Sequence, residues 1–490
     1  MGIISEFVRE QKRYTKGDLK RIFSFSTDDV NAFIKNLKAF GVLRVVKNNS
    51  EQRELSDLAD ENIEVVDEED GNGDYLYVFT YVGVITVGSR IIKCYPKYLL
   101  DEMTLLEDMK QVLKVITRYG SKEQIINLYN GDAENSSFNI LAVILFLLND
   151  YHEYGVYNNS EDIVEVNGDG EILWDKTISE SFSLLSNNRP YYMELYTEKT
   201  VDAEFDFFRR LHECVLTECS KQLELSDLLD LFDLTAIDLS EEVKDDLGDD
   251  DYILYRLQLE LNTQFNTRKQ ILLKTLYTYI AHNRTLEDSY GISMYGTNSF
   301  NLVWEDVCAE VFSNKLYTSL GQLELPVHLA EGYRAIDKLV DIIEKPIWTG
   351  RKTDGSSFDK PAKETLIPDI INIWHQDNVY QFVILDAKYY NIQLEEGKKL
   401  RGQPGIGDVT KQYLYQLAYK KFLDDHQINN IRNCFLMPTK SSEIVKTGVA
   451  KMDMLSSLRL QNIQIRQLPA KTMFNHYLSH RTMDMSLLEL

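Results

Sequence analysis

The sequence predicts a multidomain α/β protein: an N-terminal winged-helix-like domain, a small β domain, a helical middle region, and a C-terminal mixed sheet flanked by helices. Three observations predict this class. At 490 residues the chain is longer than one hydrophobic core sustains. Its apolar spacing changes along the chain between the helical repeat and strand-like alternation. Two β-rich runs surround a polar centre at 366–388, and helical segments precede and follow them.

The first fifty residues read as three short helices over 4–11, 15–22 and 28–43, the third with Val30, Phe33, Ile34, Leu37 and Phe40 at helical spacing. Arg44-Val45-Val46 begins a wing strand, so residues 1–55 form a winged-helix-like domain with its own core, suited to DNA contact or protein docking. Asp28 and Asp29 open the third helix and would face phosphate badly, which favours docking. Residues 56–74 form an acidic linker. Residues 75–165 form a small β plus helical domain, with strands at 75–80, 82–87 and 90–95. A mainly helical middle region follows over 166–290, entered through a hairpin at 167–170, and residues 291–490 form the last domain. Gly83 to Arg90 resembles a phosphate loop in its glycine spacing but lacks the lysine and is β-branched inside, so it is a strand.

Composition excludes several classes. No apolar run approaches the roughly 20 residues that span a bilayer, and the first ten residues show no secretory pattern, so the chain is expected in the cytoplasm. Cys94, Cys214, Cys219, Cys308 and Cys434 form no CxxC pair, which fits reduced thiols. His476 and His480 share HxxxH spacing without the glutamate or third ligand of a zinc site. The net charge of −24 is local: residues 56–74 carry nine acids and no Lys or Arg, and residues 223–251 carry twelve acids against one Lys. From Lys388 onward fifteen Lys or Arg stand against nine acids, the sign wanted beside phosphate.

The chemistry concentrates at 366–388. With the hairpin turn centred on Asp377-Asn378, Asp369 lies opposite Asp386, their Cβ atoms about 4.5–5.5 Å apart. Two like charges so placed destabilise a sheet unless a cation sits between them, and hard carboxylate oxygens favour Mg²⁺. Lys388 lies two residues beyond Asp386 and points to the same face, within reach of an attacking water or a phosphate. Acid-x-Lys also occurs at Asp18, Asp108, Glu242 and Glu396, but only Asp386 ends a continuous apolar run, Phe382 to Leu385.

On the upstream helix, Trp304, Val307, Cys308, Val311 and Phe312 form the apolar stripe; Glu305 sits at its edge, whereas Asp306 and Glu310 point away. Glu305 is therefore the third acid, a metal ligand or an orienter of its water. Downstream, Asp408 is placed to cap a helix whose first turns bear Lys411 and Gln412. The basic stretch with Lys398, Lys399 and Arg401 precedes it and is a candidate DNA contact.

The order of Glu305, Pro368-Asp369, Asp386-Ala387-Lys388 and a helix with Gln412 resembles the PD-(D/E)xK nuclease superfamily. More narrowly it resembles the LlaJI-type restriction endonucleases, relatives of the nuclease subunit in McrBC-type systems. That resemblance extends over Tyr81 to Ile85, Cys94 to Tyr98, Leu173 to Ile178, Arg189 to Tyr192, Tyr295 to Thr297 and Trp304-Glu305. It implies a PD-(D/E)xK core at 291–490. It also implies Mg²⁺-dependent cleavage of double-stranded DNA in a restriction-modification defence system, with Asp369, Asp386, the Ala387 carbonyl and Glu305 around the metal, and Lys388 and Gln412 completing the site. The partners it implies are an McrB-like AAA+ GTPase and a cognate methyltransferase. A homo-oligomer is compatible with it. The rival of another class is a non-catalytic DNA-binding or scaffold protein, favoured by the N-terminal winged-helix pattern and opposed by the intact acid-acid-lysine set.

Overall fold

The computed structural model describes residues 3–25, 27–48, 66, 74–100, 104–120, 139–187, 189–202, 206–282, 292–376 and 379–490. The chain divides into two compact units: Met1–Ile3, Thr86–Ser89 and Ser137–Met294 in one, and Ile4–Ile85, Arg90–Ser136 and Tyr295–Leu490 in the other. The architecture is mixed α/β with several separate sheets. No helix among the described residues is long and apolar enough to cross a membrane.

The second unit begins at Ile4. Strand β1 (Ile4–Arg9) pairs in parallel with β6 (Arg90–Tyr95), in a four-stranded sheet of order β1-β6-β5-β12 that includes β5 (Val82–Val87) and β12 (Ile292–Thr297). This corrects the helix expected over 4–11. Ile4, Phe7 and Val8 fit a helical face, but a segment this short is ambiguous from periodicity, and a partner more than eighty residues away decides it. The next elements follow the sequence reading more closely. Helices α1 (Lys16–Ile22) and α2 (Thr27–Ala39) precede β3 (Leu43–Lys47), the expected wing strand. Thr15 and Asp18 cap α1 reciprocally, and Gly41, at φ +68°, lets the chain leave α2.

The small sheet here has the order β2-β4-β3, using β2 (Arg13–Tyr14) and β4 (Tyr75–Phe79). The segment expected to close its own core is thus paired at both ends with strands from beyond residue 74. The acidic linker at 56–74 lies outside the described residues except for 66 and 74.

The C-terminal part of the same unit is built on a five-stranded mixed sheet of order β15-β16-β17-β19-β18. Strands β15 (Ile370–Gln376) and β16 (Val379–Ala387) are antiparallel, Ile370 opposite Leu385 and Gln376 opposite Val379. This is the register expected from the sequence; its turn residues, 377 and 378, lie outside the described residues. From β16 the chain crosses through a long helix, Ile406–Asp425, to β17 (Asn430–Thr439), which runs parallel to β16. Strand β18 (Val445–Ala450) then forms the far edge beside β19 (Ile463–Pro469). Phe382 and Ile384 pack against Tyr415, Tyr419 and Phe422 of the long helix. Because side chains alternate along a strand, Asp386 and Lys388 continue this helix-facing row.

The first unit holds helices Ile140–Tyr154, Phe207–Leu225, Asp250–Thr263 and Thr267–His282, in accord with the helical reading. It also holds strands that reading missed. The expected hairpin at 167–170 is corrected: β8 (Glu171–Ile172) and β7 (Ser160–Val166) both pair with β11 (Tyr196–Asp202), not with each other. The seven-residue β11 matches β7 along its whole length, which the two-residue β8 does not. A second hairpin, β9 (Ser183–Ser186) with β10 (Arg189–Tyr192), lies in the same stretch.

Because β1 covers the outer edge of β6 and contributes the fully buried Val8, a chain starting at residue 10 is expected to lose much of its thermal stability. Deleting β1 uncovers one edge of β6 and its apolar neighbours. A melting curve that superimposes on that of the full chain would contradict the attachment described here.

Candidate active site

The site forms where β15 begins and β16 ends, at the edge of a packed core. Asp369 immediately precedes β15, and its Oδ2 accepts a hydrogen bond from the Ala387 N–H at 2.9 Å, so its carboxylate reaches the end of β16. Asp386 is 5% exposed and accepts from Lys388 Nζ at 2.9 Å. Asp408 Oδ1 lies 3.2 Å from the same Nζ, so the ammonium is held between two carboxylates.

Backbone and amide contacts fix this arrangement. The Lys388 N–H donates to Leu436 O at 2.8 Å, and the fully buried Trp304 donates from Nε1 to the same oxygen at 3.1 Å. One carbonyl of β17 therefore aligns the Asp386-Ala387-Lys388 strand with the helix Phe300–Val311, which carries Glu305. At the other end of that helix, Asn314 Nδ2 donates to Asp369 O at 2.8 Å, while its Oδ1 accepts from Ile371 N at 3.1 Å. Asn372 Nδ2 donates to Phe312 O at 2.8 Å and completes the clasp.

Electrostatics follow from the crowding. Burial pushes the Asp369 carboxyl up to about 8, with the neighbouring Asp386 adding to the rise and Lys388 opposing it. For Lys388 burial acts to lower the pKa, but the Asp386 and Asp369 charges outweigh it and hold the ammonium above its ordinary value. Lys388 is thus a cation near neutral pH, which suits it to attract charge and not to accept a proton. Glu305 is raised by burial and by Asp386, against the pull of Lys388. It faces the cluster, whereas Asp306 accepts from Tyr477 Oη and Glu310 pairs with Arg118, both at 2.5 Å.

Among the described residues, no three His, Cys, Asp or Glu side chains form a ready-made metal cage. The donor set on offer is two facing carboxylates and the nearby Ala387 carbonyl. Such a set fits Mg²⁺, which keeps several of its waters and takes one or two protein carboxylates.

The other expected residues are placed less directly. Asp408 does not cap its helix: the cap is Gly405, and the Asp408 carboxylate in the first turn turns to Lys388 instead. Its spacing from Gln412, one helical turn, was the available signal. Gln412 is fully buried, and neither polar atom of its amide meets a hydrogen-bond partner among the described residues. Lys411 is exposed on that turn. Lys398, Lys399 and Arg401 are exposed in the preceding loop, where Lys398 pairs with Glu395 and Arg401 bridges back to Gln393.

A cavity of about 370 Å³ opens beside Lys388, lined by Glu305 and Asp408 and also by Glu10, Arg44 and Lys97 from the N-terminal part. Glu10 accepts from Tyr389 Oη at 2.5 Å and from Lys97 N at 3.2 Å, and Lys97 Nζ lies 4.5 Å from the Tyr389 ring centroid. The residue after the lysine is therefore bolted to the end of β1. Sequence spacing carried no signal for this contact, which spans hundreds of residues.

The Asp369 pKa has a stability consequence with a definite sign. Between the ordinary value of 3.8 and about 8 the folded chain keeps a proton that the unfolded chain has lost, so this carboxyl destabilises the fold increasingly as pH rises. Asp369→Asn removes that cost and keeps an oxygen for the Ala387 N–H. In metal-free protein the variant is expected to melt above the wild type at pH 8, with the gap closing by pH 4. A gap that does not change with pH would contradict this electrostatic account.

Comparison with known proteins places the chain in a family. The LlaJI restriction endonuclease model matches residues 81–330 and 333–474. The type II restriction enzyme BsuMI component YdjA of Bacillus subtilis (strain 168) is 29% identical over 420 residues, covering 84% of this chain and 83% of the relative. Among solved structures, a half-complex of Thermococcus gammatolerans McrB AAA+ hexamers with bound McrC aligns at TM-score 0.34 and 13% identity, over 97% of this chain and 99% of that one. The McrBC complex of the same organism aligns at TM-score 0.25 and 13% identity, over 61% and 84%. The family model spans most of the sequence and every residue of the acid-acid-lysine cluster, and the chain belongs to the LlaJI restriction endonuclease family.

Proposed function

We propose that this chain is the DNA-cleaving component of a restriction system, a Mg²⁺-dependent endonuclease that hydrolyses phosphodiester bonds at Asp369, Asp386 and Lys388. The observation that carries the reading is the pair of facing carboxylates at the joined ends of β15 and β16, with a cationic lysine beside them. Like charges are costly in that position unless the site serves to hold a cation.

Asp369, Asp386 and the Ala387 carbonyl would hold Mg²⁺, which would supply the Lewis acidity to activate water and screen the phosphate. The protein's own groups do the rest. Lys388, with its ammonium fixed by Asp386 and Asp408, presents positive charge to the incoming phosphate and its nucleophile. Glu305, raised in pKa and beside the cluster, orients water. The buried Gln412 amide, unpartnered among the described residues, offers a further donor and acceptor one turn from Asp408.

A second reading, in which the nuclease works only within a larger assembly, is favoured by its Bacillus subtilis relative, a component of a restriction enzyme. Under it an McrB-like AAA+ GTPase brings the chain to DNA, and a cognate methyltransferase protects the host sequence. Cytoplasmic residence belongs to the same proposal.

Asp386→Ala and Lys388→Ala are expected to reduce Mg²⁺-dependent plasmid cleavage by at least about a hundredfold, the scale of losing one preorganised charge-stabilising group. DNA affinity should stay near that of the wild type. Asp408→Asn, which frees one side of Lys388, is expected to lower the rate by about tenfold. Purified protein is assayed with Mg²⁺, with and without GTP and an added GTPase subunit. Undiminished nicking by either Asp386→Ala or Lys388→Ala would sink the site assignment. Activity confined to the GTP-plus-subunit arm would select the second reading.

A further inference from the structure

Between the active-site helix and Asp369 the chain extends a ribbon, β13 (Ile347–Arg351) against β14 (Ser357–Pro361), with Trp348 opposite Lys360 and Gly350 opposite Phe358. Neither face is covered. Every residue from 351 to 360 is exposed, and Ile347 and Trp348 are 67% and 71% exposed. An isolated two-stranded hairpin is marginal in water. An unshielded tryptophan on such a ribbon is an unusual use of apolar surface without a partner.

The charge of the ribbon runs against that of the whole chain. Residues 345–363 carry Lys345, Arg351, Lys352, Lys360 and Lys363 against Asp354 and Asp359, a net +3 in a chain of net −24. Both acids are engaged locally: Asp359 accepts from Thr349 Oγ1 at 2.7 Å, and Asp354 accepts from Ser356 N at 2.9 Å in the turn. Strand alternation sets Trp348, Lys352, Phe358 and Lys360 on one face, where Lys360 Nζ lies 5.7 Å from the Phe358 ring centroid.

The base is anchored. The Ala362 N–H donates to Pro346 O and Thr365 Oγ1 to Glu344 O, both at 2.7 Å, and Tyr415 Oη donates to Ile367 O at 2.9 Å. The return strand thus runs from a fixed stem straight into Asp369.

We propose that this ribbon is a duplex-DNA-binding element, its basic side chains on phosphates and its aromatic face toward a groove, which docks the substrate beside the active site. Two-stranded ribbons fit the major groove, and a cationic, aromatic face complements a polyanion. The proposal rests on the nuclease reading for its choice of DNA as the occupant. It is distinct from the loop with Lys398, Lys399 and Arg401.

The test uses the full chain, a fluorescent duplex and anisotropy in EDTA, so that binding is read apart from cleavage. Arg351→Glu/Lys352→Glu/Lys360→Glu is expected to weaken binding at least about tenfold and to flatten the dependence of log K on log salt by about 2–3. Trp348→Ala, which leaves all charges in place, should weaken binding with the salt slope unchanged. Matching circular dichroism and melting curves certify the folds. Absent binding by the unaltered chain, or unchanged affinity and slope in the triple variant, overturns the proposal. Wild-type plasmid cleavage, scored separately, decides the nuclease reading: cleavage with an inert ribbon rejects only the ribbon, and ribbon-dependent binding without cleavage rejects only the nuclease.

Discussion

The architecture of the C-terminal sheet depends on one costly placement, two carboxylates brought together at the joined ends of an antiparallel strand pair. Asp369 and Asp386 repel each other in partly dry surroundings, and the raised pKa of Asp369 registers the cost. The structure offsets it with Lys388 on the same row, with the Ala387 N–H on Asp369, and with Asp408 holding Lys388 from the far side. The Leu436 carbonyl, shared by Lys388 N–H and Trp304 Nε1–H, locks the strand and the Glu305 helix into one frame. Such over-determination is what preorganised catalytic groups require, since small misplacements cost large factors in rate.

The same frame explains why the N-terminal segment belongs to the nuclease unit. Glu10, at the end of β1, receives the Tyr389 hydroxyl and the Lys97 N–H, so a strand from the start of the chain buttresses the residue that follows Lys388. A winged-helix-like pair of helices is retained beside this contact, carried on a sheet whose partner strand begins at Tyr75. The N-terminal segment and the acid-acid-lysine cluster are therefore joined through packed, hydrogen-bonded structure within one unit.

The site was legible in the sequence to the extent that it is local. The hairpin register follows from alternation and turn position, so the facing of Asp369 and Asp386 was readable. Glu305 was readable from the edge of an apolar stripe. Asp408 was visible but assigned to capping, because a helix-start acid has two uses and only the position of Lys388 distinguishes them. The strand at 4–9 was not legible, since its identity is set by a partner at 90–95. The ribbon at 347–361 is not legible for another reason: Trp348 and Ile347 have the character of core residues, and only their exposure marks a surface.

The central claim is that Asp369, Asp386 and the Ala387 carbonyl form a divalent-cation site within the acid-acid-lysine cluster. Mn²⁺ is the direct probe, because it takes the oxygen ligands of Mg²⁺ and scatters anomalously. Crystals of the full chain grown with Mn²⁺ should show an anomalous peak bridging the two carboxylates, absent from crystals of Asp386→Asn. A peak elsewhere in the molecule, none at the cluster, or one that persists undiminished in the variant would contradict the account.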